Sequence, residues 1–278
     1  LKYIADLNIK KDRGVKVPPG ILTTNALRAI NDPAVDIVVE VIGGVNPAKK
    51  FIEAALRRKK HVVTSNKEVI AKYGREFIAL AAQNKVNILF EASVGGGIPI
   101  INALTKALAG NNIRRIYGIV NGTTNYILTK MYRENAELAA VLKEAQALGY
   151  AEADPTNDID GYDVVYKLSI LAGLAFNSHF AYQDIYCEGI RKISAADIAL
   201  AREFGYVIKL LAIGIARDAK NVELRVHPVM VPQRHPLATV NDAFNAVFVE
   251  GDCVGETMFY GQRRQRRQNI IKTKCQYR

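Results

Sequence analysis

The chain has 278 residues, of which 49% are hydrophobic and 23% are charged, and its formal net charge is +11. This composition is typical of a globular protein that is long enough for one large domain or two smaller ones. The sequence contains no apolar run of 18 residues, so no membrane span is indicated. The three cysteines, Cys187, Cys253 and Cys275, are scattered, which favours a reducing compartment and predicts a cytoplasmic location.

Much of the positive charge lies in one short segment. Residues 262–278 contain seven basic residues and no acid, so the rest of the chain carries only +4. A basic tail can bind nucleic acid through phosphate contacts. The remainder of the chain has no basic patch interleaved with aromatic residues, which makes nucleic-acid binding the weaker interpretation of this charge.

The first hundred residues alternate between β-branched runs and amphipathic segments. This alternation predicts an α/β fold with a parallel sheet and helical crossovers, as in Rossmann-like nucleotide-binding domains. The predicted strands are 2–5, 36–42, 61–64 and 86–91, and the predicted helices are 47–58, 67–83 and 99–108.

Polar and glycine-rich loops follow these predicted strands, and ligands of such sheets bind beyond the carboxyl ends of the strands. The loops are Gly43-Gly44, Ser65-Asn66-Lys67 and the run from Ser93 to Gly97. Asp6 ends the first predicted strand, where an acid typically bonds a ribose hydroxyl. Lys10, Lys11 and Arg13 follow it and can accept a 2′-phosphate, so NAD and NADP both stay open. Ordinary turns and solvated side chains are the alternative interpretation of these residues.

The pattern changes from about residue 100 onward. A predicted strand at 114–120 leads into the turn Asn121-Gly122-Thr123-Thr124-Asn125, where either threonine is a candidate helix cap. This half predicts an α+β domain with a mixed sheet. The predicted helices are 125–148, 162–175 and 195–206, and the further strands are 207–213, 222–230, 246–250 and 255–260.

The segment from Gly149 to Lys167 is the most informative part of the chain. Asp160-Gly161 predicts a turn, and the apolar run after it predicts a buried helix on which Asp163 and Lys167 share a face. Such a pair can orient an amino-acid substrate and supply a proton, but it is also common as a surface ion pair. A calcium loop is excluded because Lys167 stands where a bidentate glutamate is needed. Five carboxylates fall within twelve positions: Glu152, Asp154, Asp158, Asp160 and Asp163.

This segment resembles the signature of the homoserine dehydrogenase family, and the similarity extends from residue 1 to about Gly261. The family reduces L-aspartate 4-semialdehyde reversibly to L-homoserine with NADP or NAD, in threonine, methionine and isoleucine biosynthesis. The resemblance implies a nucleotide-binding domain at 1–98, an α+β substrate and dimerisation domain at 99–254, and a return segment with a divergent tail at 255–278. It also implies a homodimer. The residues that carry it are Ala145, Gly149, Tyr150, Asp154, Pro155, Asp158, Gly161, Asp163 and Lys167.

The resemblance implies roles for individual residues. Lys167 is the candidate proton donor, and Lys67 faces the nicotinamide and the substrate. Glu152 and Asp163 receive the substrate's ammonium, while Tyr150 and Thr123 complete the pocket. The cofactor-binding candidates are Asp6, Gly43, Gly44, Lys67, Gly149 and Glu152. A monovalent cation, sodium, is expected at Glu91 and at the carbonyls of Val94, Gly96 and Ile98.

The sequence departs from the family pattern at both ends. No Gly-x-Gly-x-x-Gly turn precedes Asp6, and the Arg-rich run 262–268 replaces a second glycine-rich turn. These departures predict weak cofactor binding that fades with salt, and a frameshift is one hypothesis for the tail. Three alternatives stay open: an inactive remnant, a nucleic-acid-binding protein, or another dehydrogenase such as an aspartate-semialdehyde dehydrogenase, which would need a cysteine thiolate.

Overall fold

The computed structural model describes residues 1–262 except for 11, 13 and 219. The predictions for Lys11, Arg13 and the Arg-rich tail therefore lie outside the described residues. The chain forms two compact units, Leu1–Phe90 and a second that begins at Glu91. The loop from Glu91 to Ile98 thus belongs to the second unit.

The first unit contains two small parallel sheets. In one, β1 (Ile4–Ala5) pairs with β2 (Leu22–Thr23). In the other, β4 (His61–Thr64) lies between β3 (Ile37–Glu40) and β5 (Ile88–Leu89). The helices are α1 (Ala26–Asn31), α2 (Ala48–Arg57) and α3 (Lys67–Gln83). Parallel pairing with alternating helices confirms the predicted Rossmann-like class.

The core of the first unit lies between the larger of these sheets and two helices. α2 contacts α3, β3 and β4, and it buries Ile52 and Leu56 completely. Phe77 of α3 is also fully buried, as the amphipathic pattern of both helices predicts. The strands are shorter than predicted, since β3 ends at Glu40 and β5 ends at Leu89.

The second unit is built on a six-stranded sheet in the order β11-β10-β6-β8-β9-β7. All neighbours are antiparallel except β7 and β9, which confirms the predicted mixed sheet. β11 pairs with β10 along its whole length, so residues 255–262 form the edge strand of this sheet, and the predicted domain bounds, with a return segment and tail at 255–278, stay predictions. The strands are β6 (Ile113–Ile119), β7 (Tyr186–Cys187), β8 (Tyr206–Ala216), β9 (Val222–Pro232), β10 (Phe244–Gly251) and β11 (Gly255–Gln262).

The helices of the second unit follow the prediction in part. The helix predicted at 162–175 is confirmed, but the long helix predicted at 125–148 is wrong. Asn135 turns into the left-handed region (φ 51°), which ends one helix before the next begins. Short 3-10 turns occur at Glu91–Ser93, Tyr182–Asp184 and Pro236–Thr239. The helices are α4 (Ile100–Asn102), continued by a π-helical turn (Ala103–Ala107), α5 (Gly122–Glu134), α6 (Leu138–Ala147), α7 (Thr156–Ile159), α8 (Tyr162–Ala175) and α9 (Ala195–Glu203).

The sheet buries most of β8 on both faces. One face meets helices α5, α8 and α9, and Gly214 on this face lies against the ring of Phe176. Leu211 and Ile213 point to the other face, because side chains alternate along a strand. There they pack with Leu237 and Val240 of the segment that follows β9. None of the described helices is both long and apolar enough to cross a membrane.

Lys209 is a buried cation within β8 that the sequence analysis did not single out. Its ammonium donates to the Val240 carbonyl (2.6 Å), to Asn125 Oδ1 (3.0 Å) and to Asn241 Oδ1 (3.3 Å). It therefore joins β8 to the first turn of α5 and to the segment before β10. Burial lowers the pKa of Lys209 to about 8, because the charged form loses hydration.

We predict that Lys209 makes stability rise with pH above neutrality. The folded-state pKa of about 8 lies below the ordinary value of 10.5, so the unfolded chain binds more protons between these pH values. Relative to Lys209→Met, the unsubstituted protein should gain free energy of unfolding as the pH rises from about 8 to 10. Urea denaturation across this range tests the expectation, with the exposed Lys192→Met as control. Parallel pH curves for the unsubstituted protein and Lys209→Met would contradict it.

Candidate active site

The predicted pair of Asp163 and Lys167 is buried at the start of α8. The helix begins after Gly161, which adopts φ 88° and lies so close to Cys187 that a Cβ would meet its sulfur at 3.0 Å. Lys167 Nζ lies 2.5 Å from Asp163 Oδ2, and the two side chains are 6% and 2% exposed. The alternative of a surface ion pair is therefore wrong.

The end of β6 holds this pair in place. Lys167 Nζ also donates to the carbonyl of Val120 at 2.6 Å. The next residue, Asn121, donates through its amide to Asp158 Oδ1 (2.7 Å) and to Asp163 Oδ2 (2.8 Å). Three elements thus meet at one point, because Asp158 belongs to α7 and Asp163 to α8.

Asn121 also begins α5. Its Oδ1 accepts the main-chain N–H of Thr124 at 2.9 Å, so Asn121 is the helix cap. The prediction that Thr123 or Thr124 caps this helix is wrong. The sequence did carry a signal, since asparagine before Gly-Thr-Thr has the side chain that best suits a cap.

Thr123 and Tyr150 are brought together beside this turn. Thr123 Oγ1 donates to the carbonyl of Tyr150 at 2.7 Å, and the ring of Tyr150 stacks on Tyr126 at a centroid distance of 4.7 Å. Burial and the carboxylate of Glu144 raise the pKa of Tyr126 to about 12, so this neighbour stays a neutral phenol.

The other two candidates of the acidic segment lie in the adjoining turn. Gly149 takes a positive φ of 75°, a conformation that favours glycine. Glu152 is exposed, and its carbonyl accepts a bond from the Gln146 side chain at 3.1 Å. The start of α5 therefore connects four of the predicted residues. Thr123 bonds to Tyr150, and Asn121, just before the helix, bonds to Asp163, the partner of Lys167. Glu152, in contrast, is exposed to solvent.

In the first unit, a buried carboxylate links the predicted cofactor loops. Glu40 is 3% exposed and accepts the hydroxyl of Thr64 at 2.6 Å and the main-chain N–H of Ile42 at 2.7 Å. The loops after β3 and β4 are joined directly, because the Asn66 side chain donates to the Gly44 carbonyl at 2.6 Å. The sequence analysis missed Glu40, although an acid inside a β-branched run is itself an unusual feature.

This network brings Gly43, Gly44 and Lys67 to the carboxyl ends of neighbouring parallel strands. Asn66 caps α3 by accepting the N–H of Val69, and Lys67 is the first residue of that helix. Gly43 and Gly44 adopt φ 85° and 66°, and a Cβ at either would meet nothing within 4 Å. Space therefore surrounds the Cβ position of both glycines, and their contacts with a cofactor stay predictions.

Asp6 follows β1 directly and is half-buried. Its carboxylate accepts the main-chain N–H of Asn8 at 2.9 Å, and its own N–H donates to the Thr23 carbonyl at 3.0 Å. Asp6 thus stands at a strand end with its carboxylate bonded to the chain that follows, and the ribose contact stays a prediction.

Glu91 serves a local structural purpose in the second unit. Its two carboxylate oxygens accept the main-chain N–H groups of Ile101 (2.9 Å) and Asn102 (2.8 Å) at the start of α4. The carbonyl of Ile98 accepts the N–H of Ile100 at 2.9 Å. Within the described ranges, no three His, Cys, Asp or Glu side chains are grouped to hold a metal ion. The sodium site at Glu91, Val94, Gly96 and Ile98 stays a prediction.

Comparison with known proteins places this geometry in a family. The family model described as homoserine dehydrogenase matches residues 99–268, and the model for homoserine dehydrogenase, NAD binding domain, matches residues 1–91. The chain belongs to the homoserine dehydrogenase family. The resemblance inferred from the acidic segment is therefore confirmed.

Similar sequences and structures carry the same family name. The homoserine dehydrogenase of Synechocystis is 49% identical over 265 residues, which cover 94% of this chain and 61% of that protein. That of Bacillus subtilis is 49% identical over 262 residues, or 94% of this chain and 60% of that protein. The chain thus spans about three fifths of the length of these relatives.

Solved structures agree with the sequence comparison. A homoserine dehydrogenase from Thiobacillus denitrificans superposes with a TM-score of 0.93 at 45% identity, over 98% of this chain and 63% of that one. A hyperthermophilic archaeal homoserine dehydrogenase mutant in complex with NADPH has a TM-score of 0.77 at 31% identity, over 91% and 76% of the two chains.

We predict that breaking the buried ion pair costs far more than breaking an exposed one. Lys167→Met leaves the carboxylate of Asp163 buried without its ammonium, which should lower the free energy of unfolding by about 3 kcal/mol. The double variant Lys167→Met with Asp163→Asn should lose less free energy of unfolding than the two single variants lose in sum, because neither charge is then left buried without its partner.

Urea denaturation measures both effects. Lys130→Met is the control, because Lys130 and Glu134 have the same i,i+4 spacing with side chains that are 21% and 50% exposed, and Lys130 keeps a second acid, Glu144, at 3.2 Å. This control should change the free energy of unfolding much less. Equal losses for the Lys167 and Lys130 variants would contradict the buried pair as a stabilising contact.

Proposed function

We propose that this chain catalyses the reversible reduction of L-aspartate 4-semialdehyde to L-homoserine with NADPH or NADH. The observation that carries the proposal is the buried Lys167–Asp163 pair at the end of β6, within the segment that resembles the family signature. Family membership supports it, while the activity itself is proposed because the chain spans about three fifths of its relatives.

Lys167 is the proposed proton donor to the alcohol that forms. Its ammonium donates to Asp163 Oδ2 and to the Val120 carbonyl, and these two bonds hold the proton donor in one position. Positioned general acids contribute typically 10²- to 10⁴-fold to rate. In the direction of homoserine oxidation, the same amine receives the hydroxyl proton. Lys67 is the second proposed catalytic lysine.

Carboxylates of the acidic segment are proposed to bind the ammonium of the substrate. Glu152 is exposed to solvent, whereas Asp163 is buried and its Oδ2 accepts hydrogen bonds from two donors. Thr123 lies in the first turn of α5, where helix N–H groups favour a bound carboxylate, and its hydroxyl donates to the carbonyl of Tyr150. The substrate's ammonium would thus be bound by carboxylates, and its carboxylate by the N–H groups at the start of α5.

The residues of the first unit fit a nicotinamide cofactor. The cofactor supplies the hydride when it is bound. Asp6 is proposed to hold the ribose, and the open backbone of Gly43 and Gly44 to receive the flat part of the cofactor. Gly149 and Glu152 are also proposed as cofactor-binding residues. The archaeal relative in complex with NADPH favours NADP. A sodium ion at the Glu91 loop is proposed as a structural ligand.

The chemistry of the cysteines disfavours an aspartate-semialdehyde dehydrogenase. Burial raises the pKa of Cys187 to about 11, and its thiol donates to the Asp160 carbonyl at 3.2 Å. Asp252 raises the pKa of Cys253. Neither thiol is therefore poised as the thiolate nucleophile that such an enzyme needs. Cys275 lies outside the described residues.

We predict that Lys167→Ala lowers turnover of L-homoserine by roughly 10²- to 10⁴-fold and leaves cofactor binding nearly unchanged. Glu152→Gln should instead raise the KM for homoserine more than that for NADP, since it removes a charge-assisted contact to the ammonium. The exposed Glu203→Gln is the control. Steady-state rates of NADPH formation test both variants. Unchanged turnover in Lys167→Ala would remove this lysine from the mechanism.

We propose that the chain forms a homodimer through the sheet face opposite α8. Leu237 and Val240 cover part of this face, and an apolar row crosses its strands, where Met258 pairs with the buried Phe248 and Phe248 pairs with Tyr117. Met258 is 37% exposed and Tyr260 is 52% exposed, and the ring of Tyr260 stacks on Phe244 at 5.0 Å. An apolar sheet face of this kind favours burial against a second copy.

Sedimentation of the substituted chains tests the dimer. Two charges placed on the face, Met258→Glu with Tyr260→Glu, should convert the dimer to a monomer, because they would be buried unpaired at the interface. Leu200→Glu places one charge on an exposed residue of α9 and should leave the dimer intact. A dimer that persists in the double variant would contradict this surface.

A further inference from the structure

Asn121 occupies a position from which one amide reaches both acidic helices. It is 2% exposed, and its Nδ2 group donates one hydrogen bond to Asp158 and one to Asp163. A side-chain amide has two N–H donors, so both are used on carboxylates. The carbonyl of the same side chain accepts the N–H and the hydroxyl of Thr124.

The geometry separates two tasks of this side chain. The carbonyl half caps α5, a task that serine or aspartate performs about as well. The amide half holds two carboxylates apart and neutralises part of their repulsion, a task that needs N–H donors. Asp163 Oδ2 therefore accepts one hydrogen bond from the Asn121 amide at 2.8 Å and one from the Lys167 ammonium at 2.5 Å.

We propose that Asn121 is a positioning residue, which sets the carboxylate of Asp163 for the substrate's ammonium and for Lys167. The proposal rests on the homoserine dehydrogenase activity proposed above. A carboxylate with two fixed donors on one oxygen cannot rotate freely, so its other oxygen points in a defined direction. Asp158, bound to the same amide, prevents the amide from turning away.

Substitutions at this one position distinguish positioning from folding. Asn121→Ser keeps an oxygen for the cap but removes the two amide N–H groups that reach Asp158 and Asp163, and Asn121→Asp keeps the cap and adds a third carboxylate. Asn121→Asp with Asp158→Asn reverses the direction of the bond between these two residues and restores it. Ser194→Ala, which removes the side-chain cap of α9, is the control for the loss of a helix cap elsewhere.

Calorimetric titration of L-homoserine into the whole chain, with NADP⁺ present, gives the readout. Asn121→Ser should raise the Kd for homoserine roughly tenfold, which is one lost charge-assisted bond, and leave the Kd for NADP⁺ nearly unchanged. Asn121→Asp should bind more weakly still, because like charges meet. The double variant should recover part of that loss, and Ser194→Ala should bind homoserine normally.

Two outcomes overturn the inference in different ways. Normal homoserine binding by Asn121→Ser, or no recovery in the double variant relative to Asn121→Asp, removes the positioning role and leaves the proposed function intact. Failure of the unsubstituted chain to bind homoserine overturns the proposed function and this inference with it. If Asn121→Ser does not fold, the comparison of Asn121→Asp with the double variant still decides the question.

Discussion

A buried lysine held between a carboxylate and a main-chain carbonyl is the contact on which the second unit depends. Lys167 needs partners because an ammonium removed from water is costly to leave unpaired. Asp163 and the carbonyl of Val120 provide them, and this requirement fixes α8 against the end of β6. Asn121, the next residue, then joins α5 and α7 to the same point. Packing of one charge thus aligns a strand and three helices.

The first unit also contains a buried charge with several hydrogen-bond partners, but here the charge is a carboxylate. Glu40 is buried at the end of β3 and is satisfied by a hydroxyl and by N–H groups of the glycine loop that follows. A buried carboxylate with several donors stiffens a loop that glycine alone would leave free. The loop at Gly43 and Gly44 can therefore hold one conformation although neither residue has a side chain. Lys209 is a third buried charge, inside the mixed sheet, and its ammonium donates to uncharged main-chain and side-chain carbonyl oxygens.

Family membership supports the proposed function. The family models match both halves of the chain, and the lysine to which the resemblance gives the role of proton donor lies in a buried pair with Asp163. The raised pKa values of Cys187 and Cys253 disfavour the main alternative among dehydrogenases on independent grounds. The proposed dimer surface consists of apolar side chains that cross the face opposite α8.

The fold class, the helix at 162–175 and the spacing of Asp163 and Lys167 could be predicted from the sequence, because periodicity and turn residues are local signals. The strand-end positions of Gly43, Gly44 and Lys67 were predicted in the same way. Burial of the ion pair, the two bonds from Asn121 to carboxylates, and the enclosure of Glu40 and Lys209 are visible only in the folded chain. These contacts join residues distant in sequence, such as Val120 and Lys167, and no local pattern encodes which buried charge meets which partner.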